Sequence, residues 1–221
     1  VIHNHRKGFK TTLVGSSMQR RLVGEFFGTA LMVGVGCGSI AYGASHGMVS
    51  LSFGAVVALA IMLVGPTSGA HINPAVTLAF WRDGQLENAL VIPYILAQCL
   101  GALVAALLLS GAGPTLVDAD HSLTEGFLIE VAITAVLMTS ILLIVQRTSS
   151  IPIIALWVGG TVGILAFIAG PMTGASMNPA RTFGPNLVAG YWASLPFYFT
   201  STWMGAWLAC DIKNRWFPDH S

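Results

Sequence analysis

Two short segments of this chain repeat each other at a fixed distance. Ser68-Gly69-Ala70-His71-Ile72-Asn73-Pro74-Ala75-Val76-Thr77 returns as Thr173-Gly174-Ala175-Ser176-Met177-Asn178-Pro179-Ala180-Arg181-Thr182, 105 residues later. The same offset pairs Gly65-Pro66 with Gly170-Pro171 and Glu25 with Glu130. One register holding over so many positions marks an internal duplication rather than a chance short match. The fold must therefore be assembled from one unit used twice, and the two Asn-Pro-Ala triplets must occupy related places in it.

The setting of those units is apolar. Of 221 residues, 54% are hydrophobic and 9% charged, where a soluble domain carries about 25% charged residues. A membrane-spanning helix needs about 20 apolar residues. Six spans are expected at about 22–42, 48–65, 88–109, 125–145, 152–170 and 193–213. Two apolar stretches remain, about 73–81 and 178–188, each opening on Asn-Pro-Ala and too short to cross a bilayer. They read as half-helices of a broken-helix repeat. The expected fold class is an all-α membrane protein with six transmembrane helices and two re-entrant half-helices. Repeat one covers about 20–110 and repeat two about 125–213, flanked by a polar basic arm (1–19) and a tail (214–221). Three spans per repeat is an odd number, so the second copy inserts upside down and the two half-helices meet start to start.

Charge sets the orientation. Arg6, Lys7, Lys10, Arg20, Arg21, Arg82, Arg147, Lys213 and Arg215 all fall on one side of a six-span arrangement, the expected cytoplasmic side of a cell membrane. Both termini are then cytoplasmic. The tenth basic residue, Arg181, lies in the second half-helix toward the other side, and a cation there calls for a functional reason. A net charge of +1 argues against nucleic acid as a partner. Cys37, Cys99 and Cys210 lie far apart in apolar runs, with neither a disulfide nor a zinc spacing. Asp118, Asp120 and His121 in the longest connection read as a solvated loop, and no metal or cofactor is expected. The first twenty residues contain no apolar run of the kind a secretory leader carries. The arm, with His3 and His5, reads as a tail against anionic lipid rather than a cover for the inner mouth.

Asn-Pro-Ala is a well-made helix start. The asparagine oxygen can accept a first-turn N–H, and proline at the first helical position loses nothing by lacking one. Two such starts, tip to tip, place two amide donors side by side, each on a helix end carrying roughly half a positive charge. The residues before each cap, Gly69, Ala70 and His71 and then Gly174, Ala175 and Ser176, can present a ladder of carbonyl acceptors. Backbone of that kind at membrane depth is tolerated only along a cavity. The pattern implies a passage for neutral molecules: a water accepting from Asn73 and Asn178 turns its hydrogens away in both directions, and the helix ends oppose cations. Glu25 and Glu130, equivalent in spans one and four, read as acceptors for loop N–H groups in preference to a proton relay. His71 reads as a fixed hydrogen-bonding residue in preference to a pH gate.

These residues resemble the major intrinsic protein family, the aquaporins and aquaglyceroporins. The resemblance covers about 20–213 and rests on Gly24-Glu25-Phe26 and the two repeated segments. It implies an aquaporin-like fold, a homotetramer with one pore per subunit, and no enzymatic activity. It also implies a filter formed by Phe53, Ala166, Ala175 and Arg181, counted from the asparagines. Strict water channels usually carry a histidine where Ala166 stands, so a wider filter is implied. Glycerol channels usually carry an aspartate where Thr182 stands and tend to lack an aromatic pair such as Tyr198-Phe199. The mixture is similar to the nodulin-26-like group and its bacterial relatives, which often pass glycerol, urea or metalloid hydroxides such as arsenite, boric or silicic acid. Two alternatives remain on the sequence: a strict water channel, and a proton-coupled secondary transporter using Glu25 and Glu130.

Overall fold

The computed structural model describes residues 16–218. Arg6, Lys7, Lys10, His3 and His5 lie outside the described residues. Eight α-helices follow one another: α1 (Met18–Ala41), α2 (His46–Ser68), α3 (Pro74–Arg82), α4 (Asn88–Leu108), α5 (Leu123–Arg147), α6 (Ile151–Thr173), α7 (Pro179–Ala189) and α8 (Leu195–Trp216). A 3-10 turn at Trp192–Ser194 precedes α8, and the described residues contain no strand. Helices α1, α2, α4, α5 and α6 are long and apolar enough to cross a membrane. Helix α8, of 22 residues, has the length but carries Asp211, Lys213 and Arg215 in its last turns. With 9 and 11 residues, α3 and α7 reach about half of a bilayer's hydrocarbon core.

The helix ends follow from local chemistry. Ser17 and Ser45 cap α1 and α2 through their hydroxyls, and Ser122 with Glu125 forms a reciprocal capping box on α5. Helices α2 and α6 end on Gly69 (φ 90) and Gly174 (φ 73), a left-handed conformation that suits glycine. Their N–H groups return to the carbonyls of Gly65 and Gly170. Both helices therefore run two residues beyond the Gly-Pro pairs at which the apolar runs stop. A helix-interior proline removes one backbone bond, from its own missing N–H to the carbonyl four residues earlier. That carbonyl is Met62 for Pro66 and Phe167 for Pro171.

The duplication is visible in the packing. Gly54 of α2 and Gly159 of α6, 105 apart, face each other's backbone, and a Cβ built on Gly54 would lie 2.7 Å from the Gly159 carbonyl oxygen. The two-fold relating the repeats passes between them. Helix α1 packs on α4 through Gly101 against the Phe26 carbonyl, and α5 on α8 through Gly205 against the Val131 carbonyl, again 105 residues on from Phe26. Each half-helix lies against the last long helix of the other repeat, α3 on α8 and α7 on α4.

Candidate functional site: a lumen between two helix starts

Asn73 and Asn178 cap α3 and α7. The Asn73 Oδ1 accepts from the N–H of Ala75 at 2.8 Å. The Asn178 Oδ1 accepts from Ala180 at 2.9 Å and Arg181 at 3.3 Å. Each amide also reaches across the junction. Asn73 Nδ2 donates to the Met177 carbonyl at 2.8 Å, and Asn178 Nδ2 to the Ile72 carbonyl at 2.9 Å. One N–H of each amide thus ties the half-helices together, and the other is left to donate elsewhere. Beyond those bonds, Asn178 Nδ2 has only the Met32 thioether at 3.6 Å, a weak acceptor.

The two loops before the caps are built alike. Ala70 and Ile72 have φ of 47 and 45, and Ala175 and Met177 have 42 and 51. Left-handed non-glycine residues cost about 1–2 kcal/mol each, and the same pair is kept in both loops. Buried carboxylates turn the loop N–H groups outward from the passage. Glu25 accepts from His71 N at 2.9 Å, Ile72 N at 2.6 Å and Gln98 Nε2 at 2.7 Å. Glu130 accepts from Ser176 N at 2.8 Å, Met177 N at 3.0 Å and the Thr173 hydroxyl at 2.7 Å. Tyr94 and Tyr198 donate to the carbonyls of Ser68 and Thr173 at 2.8 and 2.7 Å.

The loop carbonyls divide into bonded and unbonded sets. Those of Ser68 and Thr173 are taken by tyrosines, and those of Ile72 and Met177 by asparagines. Between them, the carbonyls of Gly69, Ala70 and His71, and of Gly174, Ala175 and Ser176, receive no hydrogen bond from the described residues, and all six residues line one cavity. Its volume is about 410 Å³. The lining runs from Ile40 and His46 at one end, past Arg181 and both asparagines, to Val145 and Ile151 at the other.

Phe53, Ala166, Ala175 and Arg181 all line that cavity. The Arg181 guanidinium lies over the Phe53 ring, 5.0 Å from its centroid, and donates to the Gly113 carbonyl at 2.6 Å. Only 5% of Arg181 is exposed, so its direction is fixed. Thr182 takes no part in a charge pair; its hydroxyl bonds those of Thr115 and Ser176 at 2.7 and 2.6 Å. His71 is stacked on Phe80, with Nδ1 3.2 Å from the Thr77 hydroxyl. Glu25 and Glu130 do not line the cavity.

Residues 12–212 match the family model described as Major intrinsic protein. The chain belongs to the major intrinsic protein family. Among its relatives in that family, the glycerol uptake facilitator protein of Haemophilus influenzae is 34% identical over 78% of this chain and 79% of its own length. Aquaporin-4 of Mus musculus is 38% identical over 88% of this chain and 67% of its own. Among solved structures, the aquaglyceroporin from Plasmodium falciparum superposes with a TM-score of 0.83, covering 90% of this chain and 97% of that one at 24% identity, which shows the shared fold.

Two features of this family member are not readable from motif spacing. Gly113, which holds Arg181, lies in a loop with no counterpart in repeat one. His46 lines the cavity although it belongs to no motif. Gly43-Ala44-Ser45-His46-Gly47 also spells the Gly-x-Ser-x-Gly of a hydrolase nucleophile turn, which needs a strand before it and a helix after it. Here it joins two helices, and the Ser45 hydroxyl is spent on capping α2.

Proposed function

We propose that this protein is a passive channel for water and small neutral hydroxylated solutes that excludes protons and ions. The observation that carries the reading is one cavity with both asparagines and Arg181 on its wall. The names of its relatives, a glycerol uptake facilitator and an aquaporin, favour the same reading.

At the middle, the remaining N–H of Asn73 and that of Asn178 donate to the oxygen of a passing molecule. A water so held points both hydrogens away and cannot relay a proton onward. The starts of α3 and α7 add partial positive charge at the same level, which opposes hydronium and metal cations. Six free carbonyls supply the acceptors that replace a solute's lost hydration. Phe53, Ala166, Ala175 and Arg181 form the filter: one phenyl wall, two methyl groups and a fixed cationic donor. A methyl at Ala166, where strict water channels carry an imidazole, leaves width for a glycerol-sized molecule and favours the wider channel. Urea and metalloid hydroxides share the required chemistry of small size, neutrality and hydrogen-bonding heads. Glu25 and Glu130 hold the loops and take no part in transport.

The channel domain spans 20–213 and forms a homotetramer with one pore per subunit. It resides in the cell membrane with both termini cytoplasmic, a side supported by Arg20, Arg21, Arg82, Arg147, Lys213 and Arg215 at one end of the bundle. Stopped-flow light scattering on proteoliposomes tests the function with water, glycerol and urea gradients. We expect flux of all three, linear in the gradient and indifferent to pH difference. Ala166→His is expected to cut glycerol flux on the order of tenfold or more while sparing water. Unchanged glycerol flux in that variant would remove the filter assignment, and sizeable ionic current through the purified protein would remove the neutral-solute reading.

A further inference from the structure

The duplication supplies an internal control for the wall of the passage. Most lining residues have a lining twin 105 positions away, and many twins match in kind, as Val57 does with Val162. Where twins differ in chemical class, the difference is not demanded by the fold, because the other half is built without it. Arg181 stands opposite Val76. His46 stands opposite Ile151, and the filter does not account for it.

His46 opens α2, seven residues before Phe53, which sets it about 10 Å beyond the filter on the Arg181 side. Its ring is held from three directions. Pro171 has no N–H, which strands the Phe167 carbonyl within α6. His46 Nε2 lies 2.8 Å from that oxygen. The ring stacks on Phe167, with centroids 5.1 Å apart and planes at 25°. It also occupies the space over Gly170, where a Cβ would come within 2.8 Å of its Cε1. At the other mouth Pro66 strands the Met62 carbonyl in the same way, and Ile151 has no donor to offer it. The donor is therefore not a condition for building the turn.

A carbonyl oxygen only accepts, so Nε2 carries the proton, and in the neutral ring Nδ1 is a bare acceptor. Nδ1 has no hydrogen-bond partner among the described residues. Arg181 has donors and no acceptor, and the other three filter side chains have neither. A hydroxyl both donates and accepts, and none of the four filter side chains can accept from it.

We propose that His46 is a specificity-determining residue: a fixed imidazole whose Nδ1 accepts a hydroxyl from an incoming polyol at the mouth, ahead of the donors of Arg181. The proposal rests on the reading of the chain as a channel for hydroxylated solutes. It gives the two mouths different chemistry, with an acceptor site at one and an aliphatic wall at the other.

The test is the ratio of glycerol to water permeability in proteoliposomes. His46→Phe keeps the stacked ring and removes the acceptor; we expect the ratio to fall about fivefold, the worth of one neutral hydrogen bond. His46→Gln can donate to Phe167 and still offer an oxygen, and is expected to stay within about twofold of the parent. Gly170→Ala keeps the imidazole and displaces it, and is expected to fall with His46→Phe; it decides the matter if that variant does not assemble. An unchanged ratio in both His46→Phe and Gly170→Ala overturns the proposal. So does a ratio that rises in His46→Ala, which would make the ring an obstruction only. A parent channel that passes water but no hydroxylated solute removes the functional reading and this proposal together, whereas a glycerol-permeable parent with insensitive variants removes His46 alone.

Discussion

At the scale of single residues, two buried carboxylates decide which way two loops face. Glu25 accepts from two backbone N–H groups and from Gln98, and each of its oxygens holds one of the two backbone donors. Glu25→Gln replaces one acceptor with a donor. Gln98 can turn its amide to meet the change, but one of His71 N and Ile72 N is then left bare in the interior. An unsatisfied buried donor costs about 1–3 kcal/mol. We expect Glu25→Gln to lower the thermal midpoint of the detergent-solubilised protein by several degrees, and Glu130→Gln to do the same, since Ser176 N and Met177 N face Glu130 alike. Midpoints unchanged within error would show that the loops hold their shape without these acceptors. The sequence made these acids legible through their shared offset. The four positions that the family resemblance marks as a filter were found by counting from the asparagines, and all four line one cavity. The amide cross-bonds and the ring of His46 were not. They depend on carbonyls more than 100 residues away in the chain, and no spacing rule reports which carbonyl a proline has stranded.

At the scale of elements, the spans were legible because apolar runs of spanning length leave little choice in lipid. Their ends were less so. The runs stop at Gly65-Pro66 and Gly170-Pro171, while α2 and α6 continue to Ser68 and Thr173. A proline forfeits one bond, and the turn beyond it is closed by Gly69 and Gly174. Which glycines matter to packing was equally hidden. Gly159 and Gly160 are neighbours in one apolar run, yet a Cβ on Gly159 would meet Ala58 and the Gly54 carbonyl, while one on Gly160 would meet nothing within 4 Å. Gly159→Ala must push α2 and α6 apart, and overpacking of this kind costs about 1–3 kcal/mol. Gly160→Ala should be neutral or slightly stabilising, because alanine is the better helix former. Thermal unfolding of the two variants side by side measures the contrast. Equal effects at both positions would mean that the crossing is looser than its backbone contact implies.

At the scale of the whole molecule, each repeat closes on the other. Helix α3 from repeat one lies on α8 from repeat two, and α7 lies on α4. The two seams are fastened differently. Within the last turns of α7, the Asn186 side chain accepts from Thr115 N at 2.8 Å and donates to the Thr115 carbonyl and the Ser194 hydroxyl at 2.7 and 2.8 Å. Beyond α3 the fastening is ionic. Lys213 of α8 reaches Asp83 at 3.0 Å, their side chains only 2% and 4% exposed, and beside them Arg82 meets Asp211, which is 58% exposed. Burial separates the two pairs in strength. Removing one partner of a buried pair strands the other charge and costs about 3–5 kcal/mol, whereas an exposed pair is worth about 0–1 kcal/mol. Lys213→Met should therefore destabilise the protein severely, and Asp211→Ala hardly at all. Adding Asp83→Leu to Lys213→Met removes the stranded carboxylate and should recover most of the loss, since a buried pair exchanged for apolar residues is often close to neutral. The double-mutant cycle is read from unfolding midpoints in detergent, with glycerol flux as a check that the half-helix is still seated. If Lys213→Met proved as mild as Asp211→Ala, the ionic seam would not be what joins the two repeats at this end, and the apolar contact of α3 with α8 would have to carry the closure unaided.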